Sequence, residues 1–230
     1  MSSEAQLGTV YADDESIAIR AYADFATLVP KDQVLAAASD GVFGPSDPWT
    51  LTSASSDFVA QGLQVGHVVQ ITGPKPDFTG AGSLFAVGAV TTNSLTLRRL
   101  GKGDGMGLPP ATADGLNGVT FTVKTFDPQI EDATFEINQK FSIDPTWATL
   151  APDAIDNLRV LRQATILTVL ARAYATSSHA KNGDFDVKAI TSKQALSEAL
   201  SIVEIRWTKS LGVGASLPPP TSRFSTRIGR

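Results

Sequence analysis

The chain has 230 residues, of which 42% are hydrophobic and 18% charged. That is enough to bury one large or two modest cores, and too apolar for a wholly disordered polymer. Its 23 acidic and 19 basic side chains leave a net charge of −4, which gives no bulk attraction for nucleic acid or an anionic membrane. Cysteine is absent, which excludes disulfides, thiolate nucleophiles and Cys-based zinc or iron–sulfur sites.

Met1 to Val10 is small and polar, without a charged leader or apolar stretch. No run approaches the roughly 18 apolar residues of a membrane span, so the sequence reads as soluble and unexported. Asp13, Asp14 and Glu15 place acids where a helix N-terminus favours them, and Ile17, Ala21, Phe25 and Leu28 recur at helical spacing until Pro30. This predicts a first helix over about 13–29. A Ser/Gly/Pro-rich crossing from Ser39 to Pro48 follows, and near Trp49 the period changes from helical to two-residue.

Five strand signals come next: Thr50 to Val59, the alternation through Val65, His67, Val69 and Ile71, the apolar run Leu84 to Val90, Ser94 to Arg98, and Val119, Phe121 and Val123. They predict a small barrel or sandwich over 47–126. Helical spacing returns at Asp127-Pro128, a cap followed by proline at the first helical position, for a helix over about 128–141. A more apolar helix over about 152–176 wants to be buried, and a last helix over about 188–211 carries Leu196, Leu200, Val203, Trp207 and Leu211 as a heptad-like stripe. Residues 212–230 hold Pro218 to Pro220, three arginines and no acid, a composition that orders only against a partner.

Little in this layout supports catalysis. His67 and His179 are the only histidines, and neither has a local ligand at metal-binding spacing. No Gly-x-Ser-x-Gly elbow or Ser-x-x-Lys element supplies a nucleophile. The glycines from Gly101 to Gly107 lack the helix that a phosphate loop needs, because Leu108, Pro109, Pro110 and another strand follow. The acid pairs Asp13/Asp14 and Glu131/Asp132 sit in predicted first helical turns, where dipole complementarity accounts for them. No catalytic, metal or cofactor site is therefore expected. The tail is different. Arg223, Phe224, Thr226, Arg227, Ile228 and Arg230 alternate basic and apolar character in the way a strand docking on a partner's sheet edge requires, and Trp207 is a candidate interface residue.

Four segments carry a resemblance to a known family. Tyr11 to Gln33, with Ile17-Ala18-Ile19-Arg20 and Asp24-Phe25-Ala26-Thr27-Leu28, is similar to the first helix of the head-to-tail adaptor (connector) proteins of tailed bacteriophages and gene transfer agents. Asp127-Pro128-Gln129-Ile130-Glu131 resembles their second helix, Leu161 to Tyr174 their long central helix, and residues 212–230 their docking extension. The resemblance implies an α+β chain. A four-helix adaptor-like bundle is formed by 1–46 and 127–211, with an inserted all-β domain at 47–126 and an extended C-terminal tail.

It further implies a structural virion protein of the neck, assembled in the host cytoplasm as a homo-oligomeric ring, typically of twelve subunits. Its partners are the portal, a downstream neck or tail-terminator protein and the capsid. DNA passes through without specific binding, and no membrane is involved. One rival expectation is a carbohydrate- or surface-binding accessory module centred on the β domain, although such sites want exposed aromatics and this unit offers only Trp49 and scattered Phe; the other is a hydrolase with a dispersed site, for which neither His67 nor His179 is well placed.

Overall fold

The computed structural model describes residues 10–73, 83–110, 115–144, 155, 157–178, 184–202 and 205. Two short helices, α1 (Asp14–Arg20) and α2 (Phe25–Leu28), lead into six strands: β1 (Val34–Gly44), β2 (Asp47–Thr52), β3 (Val68–Gly73), β4 (Leu84–Val90), β5 (Ser94–Arg99) and β6 (Leu116–Lys124). Three longer helices follow, α3 (Asp127–Phe141), α4 (Leu158–Ser178) and α5 (Asp184–Ile202).

The strands close into a barrel in the order β1-β2-β5-β4-β3-β6, with β6 returning to β1 and every pairing antiparallel. Closure leaves no free sheet edge. Period-two alternation sends Val119, Phe121 and Val123 of β6 and Leu95 and Leu97 of β5 inward, where they meet Leu51, Ile71 and Phe85. β1 is long enough to pair with both β2 and β6, and its register shifts around Gly41. A Cβ at Gly41 would lie 2.8 Å from Leu51 Cδ1 and 2.9 Å from the Val119 carbonyl oxygen, so the wall closes there only around a glycine.

One side of the barrel is covered twice. Val69, Phe85 and Val87 fill its interior, while Val68 and Leu84 turn outward into a second core with Ile17, Phe25, Phe126, Ile130 and Val169. That is why Leu84 to Val87 is buried without a break and reads as a continuous apolar run rather than an alternating one. A third cluster, built on Tyr11, Ile137, Ile143, Ile155 and Leu161, joins α3 to the start of α4.

The expected four-helix bundle with an inserted β domain is therefore corrected. The described residues form a closed six-stranded barrel with five helices, and the helices make a layer against the barrel wall. The helix expected over 13–29 breaks after Arg20, because Ala21 leaves helical geometry (φ −117°, ψ 40°) and α2 is a single turn. The stretch from Ser39 to Pro48, read as a crossing, is the end of β1 and the start of β2. The strand expected over Thr50 to Val59 ends at Thr52. The alternation from Val65 becomes strand only at Val68. No helix among the described residues is long and apolar enough to cross a membrane.

Candidate functional site

Chemistry-bearing side chains converge where α1, the approach to β3 and the start of α3 meet. Asp13 caps α1 through a reciprocal pair: its Oδ1 accepts the Ser16 N–H at 2.8 Å and its own N–H donates to Ser16 Oγ at 3.1 Å. This places Asp14 and Glu15 in the first turn, where the helix dipole favours them. Here they point inward. Both are buried, and each is held by a backbone N–H from a distant segment. Asp14 Oδ1 accepts from Phe126 at 2.7 Å, and Glu15 Oε1 accepts from Gly101 at 3.0 Å. Glu15 also pairs with the Arg98 guanidinium, so the glycine-rich connection after β5 cradles a carboxylate of its own chain.

His67, 3% exposed, stands beside Asp14. Its Nε2 lies 2.9 Å from Asp127 Oδ2, and its Nδ1 accepts the Gln64 backbone N–H at 3.1 Å. Asp127 opens α3, and its own N–H donates to Thr125 Oγ1 at 2.9 Å. Burial pushes the Asp14 carboxyl up to about 7, against the pull of the Phe126 N–H and His67, with Asp127 adding to the rise. For Asp127, burial works upward too, but the hydrogen bonds from His67 and Thr125 outweigh it and hold the carboxyl below the usual carboxylate range. Asp14 Oδ2 is buried and meets no hydrogen-bond partner. A carboxylate oxygen so placed is stable chiefly as the acid.

One ligand-type atom from each of Asp14, His67 and Asp127 lies within 4.8 Å of the others, close enough to ask whether they hold a metal. The histidine decides against it. A ligating Nε2 needs its lone pair free and its other ring N–H donated onward. Here the Gln64 N–H makes Nδ1 the acceptor, so the ring proton sits on Nε2 and points at Asp127. The cluster is a proton-bearing joint between the helical layer and the barrel, with Asp14 and His67 buried and the Asp127 side chain 45% exposed.

By sequence, Asp13 and Asp14 are dipole complements and His67 is a strand-face residue; the fold joins Asp14, His67 and Asp127, and nothing in their local spacing signals it. Glu131 is exposed, while Asp132 pairs with Arg172 of α4 at 3.8 Å. Trp49 on β2 is half-buried. His179, Trp207 and the residues expected to dock, Arg223, Phe224, Thr226, Arg227, Ile228 and Arg230, lie outside the described residues. No family model, curated protein or solved structure matches the chain.

Proposed function

We propose that this chain is a structural virion subunit, a head-to-tail adaptor that assembles as a ring, joins the portal to the downstream neck and lets DNA pass through its centre. One observation carries the reading: the helical layer is incomplete within a single chain. None of residues 184–201 of α5 is buried, although this segment brings Phe185, Val187, Ile190, Leu196 and Leu200. Phe185, Ala189 and Leu200 pack only in part against the chain's own cores, so much of the apolar surface of α5 over 184–201 is left for contacts from outside the chain.

Two further features support a structural rather than a catalytic role. Asp14 and His67 are buried and take the backbone N–H groups of Phe126 and Gln64, so within this cluster only the Asp127 side chain, 45% exposed, reaches solvent, and His67 already occupies it. The net charge of −4 suits a channel that DNA traverses without being gripped. The segment 212–230, with its proline spacer and alternating arginines, has the composition of an arm that orders on a neighbouring ring.

Co-expression of the full chain with portal proteins, followed by mass measurement, tests the proposal. A stable complex containing several copies of the 24.2 kDa chain is the expected result. Removal of residues 212–230 should leave ring formation intact and abolish attachment to the next ring. A chain that associates neither with itself nor with any portal overturns the reading, and glycan binding by the full chain favours a surface-binding module instead.

A further inference from the structure

The helical layer carries two unfinished surfaces, and they match. The first is a slot of about 450 Å³ over α4, walled by α3 and α5. Its floor is Thr168, Ala171 and Ala175, three small side chains at helical spacing, which let a second helix approach α4 closely. Its walls are apolar, with Ile137 on one side and Leu196 and Leu200 on the other. Its rim is cationic. Lys140 and Lys193 line it, and neither has an ion-pair partner among the described residues, whereas Glu136 is already engaged by Arg172.

The second surface is the outer face of α5. Leu196 marks the inner face, and at ~100° per residue Val187 falls on the opposite side, with Ile190 and Gln194 on the same outer stripe. Val187 is 63% exposed and Ile190 58%. Asp184 and Asp186 stand in the first turn of the same helix, so this apolar stripe is flanked by acids where the slot is flanked by lysines.

We propose that the outer face of α5 from a second copy of this chain fills the slot over α4 as the missing helix, with Val187 and Ile190 against the small-residue floor and Asp184 and Asp186 near Lys140 and Lys193. This rests on the ring reading above and gives it a surface. Donor face and acceptor slot are different patches of one molecule, so the contact is heterologous: each copy gives α5 to one neighbour and receives α5 from the other. Such a contact closes into a ring when the rotation between copies permits, and otherwise runs on as a filament. The small floor matters because interaxial distance depends on the facing side chains, and small ones let an inserted helix reach the short end of the usual range of roughly 8–10 Å.

A complementation experiment on the full chain tests this. Val187→Asp with Ile190→Asp spoils the donor face and leaves the slot, while Ala171→Arg fills the slot and leaves the donor face. Both changes are at exposed or half-exposed helix positions, and circular dichroism and thermal unfolding confirm that each variant keeps its fold. Light scattering is expected to show each variant alone weakened in self-association by at least about tenfold. An equimolar mixture should form a two-chain complex that stops there, because only one intact donor and one intact slot remain.

Wild-type chains that assemble while both variants assemble equally well overturn this contact and leave the ring reading standing. Loss of assembly in the slot variant alone assigns the slot to another occupant, the chain's own segment beyond residue 205 or a different protein, and also overturns it. Wild-type chains that stay monomeric with and without portal overturn the ring reading itself.

Discussion

Asp14 accepts the backbone N–H of Phe126 at 2.7 Å, and this one bond fastens the first helix to the residue that joins the barrel to the long helices. Phe126 in turn packs edge-on against Phe25, with ring centroids 5.6 Å apart. The N-terminal segment is thus held from two directions at the point where barrel and helical layer meet. The second oxygen of Asp14, without a partner, makes the joint sensitive to its proton.

That sensitivity has a defined sign. The Asp14 carboxyl rises from an ordinary value of 3.8 to about 7 in the folded chain, so between those values the folded state holds a proton that the unfolded state has released. The stabilisation is complete below about 4, declines as pH rises and is gone above about 7. A shift of about three units sets a ceiling of roughly 4 kcal/mol. The groups facing the carboxyl are His67, Asp127 and Thr125, with Asp13 and Glu15 on its own helix and Arg162 of α4 reaching Asp13. Urea unfolding at pH 5 and pH 8 should show the native chain weaker at the higher pH. Asp14→Asn keeps an acceptor for the Phe126 N–H and should flatten that difference; an unchanged slope in the variant contradicts the assignment.

The ion pair of Glu15 and Arg98 is a second joint between α1 and the barrel. Glu15 is largely covered and keeps only the Gly101 N–H once the guanidinium is gone. Arg98→Met should cost roughly 3 kcal/mol, the lower end expected for a broken buried pair, because the Arg98 side chain stays 24% exposed. Pairing it with Glu15→Leu should recover part of that loss. Denaturant midpoints of the two single variants and the double variant measure it, and full additivity would contradict a coupled pair.

Asp24 latches α5 to the rest of the layer. Its Oδ2 accepts from the Tyr174 hydroxyl at 2.8 Å and from Lys188 Nζ at 2.6 Å. Burial, then the hydrogen bond to Asp24 and its charge, push the Tyr174 hydroxyl well above its ordinary range. Asp24→Ala should cost about 1–2 kcal/mol, discounted because Lys188 is 45% exposed. Amide protection should fall mainly in α5, as hydrogen exchange will show; a uniform loss across the barrel argues for a different role.

Two glycines of β1 separate crowding from backbone freedom. Gly41→Ala drives a Cβ to 2.8 Å from Leu51 Cδ1 and 2.9 Å from a carbonyl oxygen, whereas a Cβ on Gly44 meets nothing within 4 Å. The first substitution should cost about 1–3 kcal/mol and the second should be close to neutral. Thermal unfolding of the two variants compares them directly.

The parts of this fold legible in the sequence are those with strong local signals. The alternation of Val119, Phe121 and Val123 and the apolar run from Leu84 appear where their residue patterns point; α3 also starts at Asp127-Pro128, but Asp127 is its first residue rather than its cap, since Phe126 holds the cap position without a side-chain hydrogen bond. β1 was hidden because Ala36, Ala37, Ala38, Ser39 and Gly41 are small and carry neither β-branching nor a clear period. The break after Arg20 was hidden for a related reason. Ala21, Tyr22 and Ala23 are compatible with a helix, and Asp24 is held outside it by partners on α4 and α5. The Asp14–His67–Asp127 cluster has no local trace, since three separate segments supply one residue each.

The helical layer is incomplete within one chain, and what completes it decides whether the chain is a ring subunit. Native mass spectrometry of the purified full chain across a concentration series tests this most directly. The expected result is a closed oligomer at one fixed multiple of 24.2 kDa, lost in the Val187→Asp, Ile190→Asp variant. A single 24.2 kDa species at every soluble concentration, with and without portal protein, would contradict it.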